Sequence, residues 1–141
     1  MFATVLNLAA LLSLGPEPAI EEAARIVGRP DIAGPLLSVC RRESRCKAIG
    51  VHAIDARRVA SSYVGQVRLG HLDAECQPRG DLWRWGTRGM MGLNAADHWQ
   101  WLPACYAPEV LDFPIVSAIV AARKYLKHCD GKRARRWCPS R

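Results

Sequence analysis

Residues 40–46 read Cys-Arg-Arg-Glu-Ser-Arg-Cys, which sets one carboxylate, Glu43, among Arg41, Arg42 and Arg45 and fixes both flanks with Cys40 and Cys46. A glutamate can be a surface ion-pair partner or a proton-transfer group. At neutral pH a carboxylic acid delivers a proton only where burial or nearby negative charge favours its neutral form. A helix C-terminus that faces a groove offers both, because the dipole puts negative potential there. Neighbouring arginines act the other way unless they point into solvent, where screening weakens them. An arginine folded back on Glu43 would defeat the acid role. Helical geometry keeps Arg41, Arg42 and Arg45 off the i±3 and i±4 positions of Glu43, so they are expected to face outward while Glu43 faces a groove.

The helix that would carry Glu43 is readable. Asp31 is a plausible N-cap, and Ile32, Leu36, Leu37 and Val39 or Cys40 follow at helical spacing as far as about Ser44. Carrying Leu36 and Cys40 forward by one turn reaches Glu43 and Ser44, at the margin of the buried face. Two helices are expected before it, over 3–13 and 18–27, with Glu21 and Glu22 in the first turn of the second and Gly28 and Pro30 closing it. Residues 46–88 read as a loop-rich excursion holding Cys76, Trp83 and Trp85, with a helix or strand over 59–67. Helical patterning returns over 89–101. The clearest helix is 115–129, with Ile115, Ile119, Ala122, Leu126 and Cys129 on one face and Lys124, Lys127 and His128 on the other. The fold class is mainly α.

The chain has 141 residues, half of them apolar, and reads as one domain, 1–141, able to bury about 70% of its unfolded surface. Its net charge of +7 favours polyanionic partners: nucleic acid, acidic membrane surfaces or cell-wall polymers. The densest basic run is Lys132, Arg133, Arg135 and Arg136. No nucleic-acid-binding motif accompanies the charge, so no nucleic acid is expected. Residues 1–17 form an apolar segment too short to span a membrane, either a packed helix or an export signal.

Six scattered cysteines with no CxxC pair and no HExxH helix argue against a metal site and for disulfides in an oxidising compartment. Cys129 and Cys138 form a natural local pair across a short loop containing Gly131. Cys40 and Cys46 are expected to tie the end of the Glu43 helix to the insertion and the tail. No cofactor is expected.

Three elements in order, Glu43-Ser44 at a helix end, Gly89-Met90-Met91-Gly92-Leu93 opening another helix, and Ala121-Ala122-Arg123-Lys124-Tyr125-Leu126 in a third, resemble the lytic transglycosylases and goose-type lysozymes of the lysozyme-like superfamily. The resemblance covers roughly residues 32–129. It implies a lysozyme-like helical domain with a long loop-rich insertion, and cleavage of peptidoglycan strands outside the cytoplasm, in the envelope, in a secreted form or on a virus particle. Glu43 would act as general acid and then base. Ser44, Met91, Gly92, Leu93, Asn94, Trp85 and Tyr125 would contact substrate. A second carboxylate would come from Asp55, Asp73, Glu75 or Asp81. The departures are Asn94-Ala95 where the family has Met-Gln, the lack of an Ala-Tyr-Asn stretch after the third helix, and a longer interval before the glycine motif. They motivate an alternative: a catalytically inactive lysozyme-fold structural or wall-binding component that assembles through its apolar N-terminus.

Overall fold

The computed structural model describes residues 8–49, 87–94, 108–131 and 136–139. Helix α1 is Pro16–Ile26, α2 is Ala33–Ser44 and α3 is Pro114–His128. Short 3-10 turns, Pro30–Ile32 and Pro108–Asp112, lead towards α2 and α3, and strands β1 (Thr87–Arg88) and β2 (Leu93–Asn94) form one antiparallel hairpin. The described part of the chain is mainly helical, as expected.

Helix α1 starts two residues earlier than the sequence suggests. Proline is tolerated in a first turn, whose amides have no helical acceptor, so Pro16 begins the helix. Glu17 therefore occupies the first turn, and Glu22 sits further along, paired with Arg25. Gly28, at φ +75°, ends the helix in a Schellman arrangement, with the Gly28 amide donating to Arg25 and the Arg29 amide to Ala24.

Asp31 does not cap α2. The N-cap is Ile32, with no side-chain cap, because Pro30–Ile32 already forms a 3-10 turn that runs straight into the helix. The Asp31 carboxylate instead receives two hydrogen bonds of 2.8 Å from Arg29, which also donates to Asp130 beyond α3. The guanidinium holds Asp31 below the usual carboxylate range. This contribution to stability is present above the ordinary carboxylate range and fades as pH falls through the lowered value.

The core lies between α1 and α3, the most extensively packed pair. Ala19, Ala23 and Ala24 on one side and Ala118, Ala121 and Ala122 on the other are all fully buried. Small residues at a helix–helix contact let the two backbones approach closely. Helix α3 is buried over more of its circumference than the expected stripe: Ser117, Val120 and Ala121 are inside, while Ile119 and Leu126 are half-buried. Residues 8–12 are helical, and Leu11 and Leu14 pack on the core while Leu8 and Leu12 stay exposed. Among the described residues no helix is long and apolar enough to cross a membrane.

Over residues 89–94 the expected helical patterning turns out to have another cause, and the rest of that segment, 95–101, lies outside the described residues. Residues 87–94 form a hairpin, with Thr87 opposite Asn94, Arg88 opposite Leu93 and Gly89–Gly92 as the turn. Met90, Met91 and Leu93 are apolar because the turn is sunk in the core, where each is at most 1% exposed. Gly89 has φ +75°, and a Cβ there would come within 2.2 Å of the Leu111 carbonyl oxygen. Arg88, almost buried, donates to both oxygens of Asp112 at 3.1 and 2.7 Å and fastens β1 to the turn before α3.

Cys129 and Cys138 are bonded, as the sequence suggests. Cys40 and Cys46 are bonded to each other rather than to the insertion or the tail. The reason is local: the chain turns back on itself just after α2, which brings their Cα atoms within 4.7 Å. The 59–67 segment, Cys76, Cys105, Trp83, Trp99 and Trp101 lie outside the described residues.

Two glycine substitutions separate backbone strain from propensity. Gly34 lies in the first turn of α2 with nothing beyond its chain neighbours near where a Cβ would be, but Pro35 follows it and a Cβ there crowds the proline ring in the helical conformation, so the propensity gain of about 0.5–1 kcal/mol is offset and Gly34→Ala is expected to be close to neutral. Gly89→Ala is expected to destabilise by about 2 kcal/mol or more, from positive φ and a backbone collision together. Denaturant unfolding of the two variants beside the parent checks both expectations.

Candidate functional site around Glu43

Glu43 stands in the last turn of α2, one residue before its end. After Ser44 the chain reverses through Arg45 and Cys46, both in the left-handed region at φ 57° and 55°. For residues with a Cβ this conformation costs about 1–2 kcal/mol each, and the Cys40–Cys46 bond closes directly over it. Cys40 is fully buried, so the bridge fixes the helix end to the core. Ser44 completes the attachment: its hydroxyl donates to the Met90 carbonyl at 2.8 Å and accepts the Lys47 amide at 3.2 Å.

The carboxyl group of Glu43 lies against Gly92. A Cβ on Gly92 would fall 2.6 Å from Glu43 Oε2 and 2.9 Å from its Cγ and Cδ. Gly92 also has φ +63°, so the position is strained for any other residue by conformation, and a Cβ there would displace the Glu43 side chain. The turn's remaining backbone groups serve other elements. The Met91 carbonyl accepts the Trp137 indole N–H at 3.0 Å, and the Met91 amide points at Ser117 Oγ at 3.4 Å.

The arginines divide. Arg41 faces outward near Glu17 of α1, 3.9 Å away, and Arg45 is exposed. Arg42 does not face outward. Its Nε and Nη2 both donate to Glu43 Oε1, at 3.2 and 2.9 Å. The same guanidinium donates to the carbonyls of Trp137 and Cys138, the latter at 3.0 Å. Helical spacing argues against this pairing, and the tail overrides it: residues 136–139, tied back by Cys129–Cys138, place two carbonyls where Arg42 can satisfy them and reach Glu43 together. The two oxygens of Glu43 are thus inequivalent. Oε1 is held by Arg42, and Oε2 lies over Gly92.

Glu43 keeps 26% of its side-chain surface exposed. That surface opens on a recess of about 660 Å³ whose described walls are Arg42, Glu43, Arg136 and Trp137. A half-buried carboxyl beside an indole and two guanidinium groups can exchange a proton with a bound molecule and bind its polar substituents. Among the described residues no cluster of His, Cys, Asp or Glu is placed to hold a metal ion.

Of the other residues suggested by the sequence, the structure places Gly92 against Glu43, while Ser44 bonds the Met90 carbonyl and the Met91 carbonyl takes the Trp137 indole N–H. The side chains of Met91 and Leu93 are fully buried and shape the turn from beneath. Ser44 has its hydroxyl committed to backbone groups. Tyr125 is half-buried and packs on the core. Asn94 pairs with Thr87 in the hairpin. Trp85, Asp55, Asp73, Glu75 and Asp81 lie outside the described residues. Sequence reasoning missed Arg42 as a partner and Trp137 and Arg136 as recess walls. A signal existed for the last two: pairing Cys138 with Cys129 necessarily returns the preceding residues to the end of α3.

A double-mutant cycle tests the Glu43–Gly92 contact. Gly92→Ala alone is expected to destabilise by about 2–3 kcal/mol. In a Glu43→Ala background the steric part of that cost disappears, leaving about 1 kcal/mol for positive φ and a coupling of at least about 1 kcal/mol. Additive losses in denaturant unfolding would mean the two residues do not touch in solution.

Comparison of the chain with protein-family models, with curated proteins and with solved structures finds no match.

Proposed function

We propose that the protein cleaves peptidoglycan glycan strands outside the cytoplasm, with Glu43 as general acid and then general base. The observation that carries the reading is the seat of the Glu43 carboxyl: half-buried at a helix C-terminus, pressed on Gly92, and open to a recess walled by Trp137. The resemblance of Glu43-Ser44, Gly89–Leu93 and Ala121–Leu126 to the lytic transglycosylases and goose-type lysozymes supports the same chemistry on a lysozyme-like domain.

Arg42 is folded back on Glu43, the arrangement set against the acid role above because a guanidinium favours the charged carboxylate; the acid role therefore requires that Oε2, which Arg42 does not touch, can still carry a proton. A neutral carboxyl has one carbonyl oxygen that still accepts hydrogen bonds and one hydroxyl that donates. With Arg42 donating to Oε1 throughout, the proton travels on Oε2. Oε2–H protonates the bridging oxygen as the glycosidic bond breaks. The resulting carboxylate then takes a proton from the nucleophile, either the sugar's own 6-hydroxyl, which closes an anhydro ring, or a water. The first route needs no second carboxylate.

The Arg42–Glu43 ion pair also favours a second reading, in which the lysozyme-like scaffold is inactive and serves as a structural or wall-binding piece of an envelope or virus-particle assembly, through its exposed N-terminal leucines. Such a pair removes the carboxylate from chemistry if it never opens or shares its proton.

Zymography on purified peptidoglycan separates the two. Under the first reading the parent clears the substrate and Glu43→Gln loses at least on the order of 10²-fold while keeping its unfolding midpoint. Mass spectrometry of the products then shows 1,6-anhydro ends, one water lighter than reducing ends. No clearing by the parent favours the scaffold. Clearing by Glu43→Gln at the parent's rate removes Glu43 from the mechanism.

A further inference from the structure

We propose that residues 136–139 form an autoinhibitory strap, latched by the Cys129–Cys138 bridge, that holds Arg42 on Glu43 and so restrains the carboxyl group from carrying a proton. The proposal rests on the reading of Glu43 as a general acid and concerns how that acid is controlled. The Arg42 guanidinium makes four hydrogen bonds. Two go to Glu43 Oε1, at 3.2 and 2.9 Å, and two go to the main-chain carbonyls of Trp137 and Cys138. Adjacent residues of a helix do not face each other, so the two carbonyls are what turn the guanidinium towards Glu43. Both belong to the strap. In this closed state only Oε2 is left to carry the proton, and the nearby positive charge disfavours it there as well.

The bridge is the strap's covalent hold. Its other attachments are the Trp137 indole N–H on the Met91 carbonyl at 3.0 Å and Lys124 Nζ, 4.4 Å from the indole centroid. Partly exposed contacts of this kind contribute little net free energy. Without the bridge the two carbonyls lose their fixed place, and Arg42 returns to the outward direction that α2 dictates. The bridge can open without dismantling the fold, because neither Cys129 nor Cys138 belongs to the main buried cluster, whereas Cys40 of the other bridge does. Opening is an exchange with a dithiol reductant. One thiolate attacks the sulfur of half-buried Cys129 and Cys138 leaves as a thiolate. The second thiol then resolves the mixed disulfide. Two electrons and two protons pass to the bridge, and the dithiol ends as a cyclic disulfide.

The test uses the full chain and a readout that does not depend on cleavage. A water-soluble carbodiimide with an amine converts carboxyl groups to amides through their protonated form, and mass spectrometry of the peptide holding Glu43 gives the rate. The parent, Arg42→Gln, Cys129→Ser with Cys138→Ser, and all three changes together are compared. Arg42→Gln keeps the strap's covalent latch, and the serine pair opens this bridge alone. Each should raise the Glu43 rate about threefold to fivefold, the scale of a half-exposed ion pair. In the Arg42→Gln background the serine pair should add nothing further, because the strap acts through Arg42. Should the serine pair fail to fold, brief dithiol treatment of the parent and of Arg42→Gln makes the same comparison. Equal rates in parent and opened chain overturn the proposal. So do rates that multiply when the changes are combined, since the strap would then only shield Glu43 from the reagent. Zymography of the same proteins should show more clearing by the opened chain than by the parent, and equal clearing counts against the strap. The expected Glu43 rates with no clearing by any of the proteins would uphold the strap and discard the enzyme. Clearing by the parent with a Glu43 rate indifferent to the bridge would do the reverse.

Discussion

Everything near Glu43 is built on the backbone of one four-residue turn, Gly89–Gly92. The turn is sunk in the core by Met90 and Met91, and its polar groups would be costly there without partners. Each partner comes from a different element. Ser44 of α2 takes the Met90 carbonyl, Trp137 of the tail takes the Met91 carbonyl, and Ser117 of α3 faces the Met91 amide. The two glycines leave room for the remaining neighbours, the Leu111 carbonyl over Gly89 and the Glu43 side chain over Gly92. The position of Glu43 is thus set by what the turn needs in order to be buried, and catalytic geometry, if Glu43 is an acid, is a by-product of polar satisfaction.

That dependence explains what was legible in the sequence. The helices follow from periodicity and breakers, and α3 is found nearly to the residue because Pro114 and the cationic last turn punctuate it. The juxtaposition of Glu43 with the glycine pair is legible through motif order. The hairpin is not, because Met90, Met91 and Leu93 are apolar on account of depth, and a buried turn carries no alternation for periodicity to detect. The Asp31 cap fails for a related reason. A capping preference competes with any stronger local partner, and Arg29 two residues away supplies one with two hydrogen bonds. Arg42 is the sharpest miss. Helix spacing alone sends it into solvent, and only the carbonyls of Trp137 and Cys138, some ninety-five residues later in the chain, draw it back.

The two local disulfides are better understood as geometric devices than as large sources of stability. The bridges span six and nine positions. By the chain-entropy account, loops this short contribute only about 2–3 kcal/mol each. Their placement carries more consequence. Cys40–Cys46 closes over Arg45 and Cys46 in the left-handed region, a conformation that would otherwise tend to relax and let the last turn of α2 fray. Cys129–Cys138 returns the tail so that one indole, one guanidinium and two carbonyls meet the same helix end. Between them the bridges fix Glu43 from its own helix and Arg42 from the tail. The backbone on both sides of the pair is thus fixed, and the Arg42 guanidinium has two carbonyls as well as Glu43 to hold it. A pair held this way favours one orientation of Glu43, with Oε1 turned to the tail and Oε2 to the hairpin.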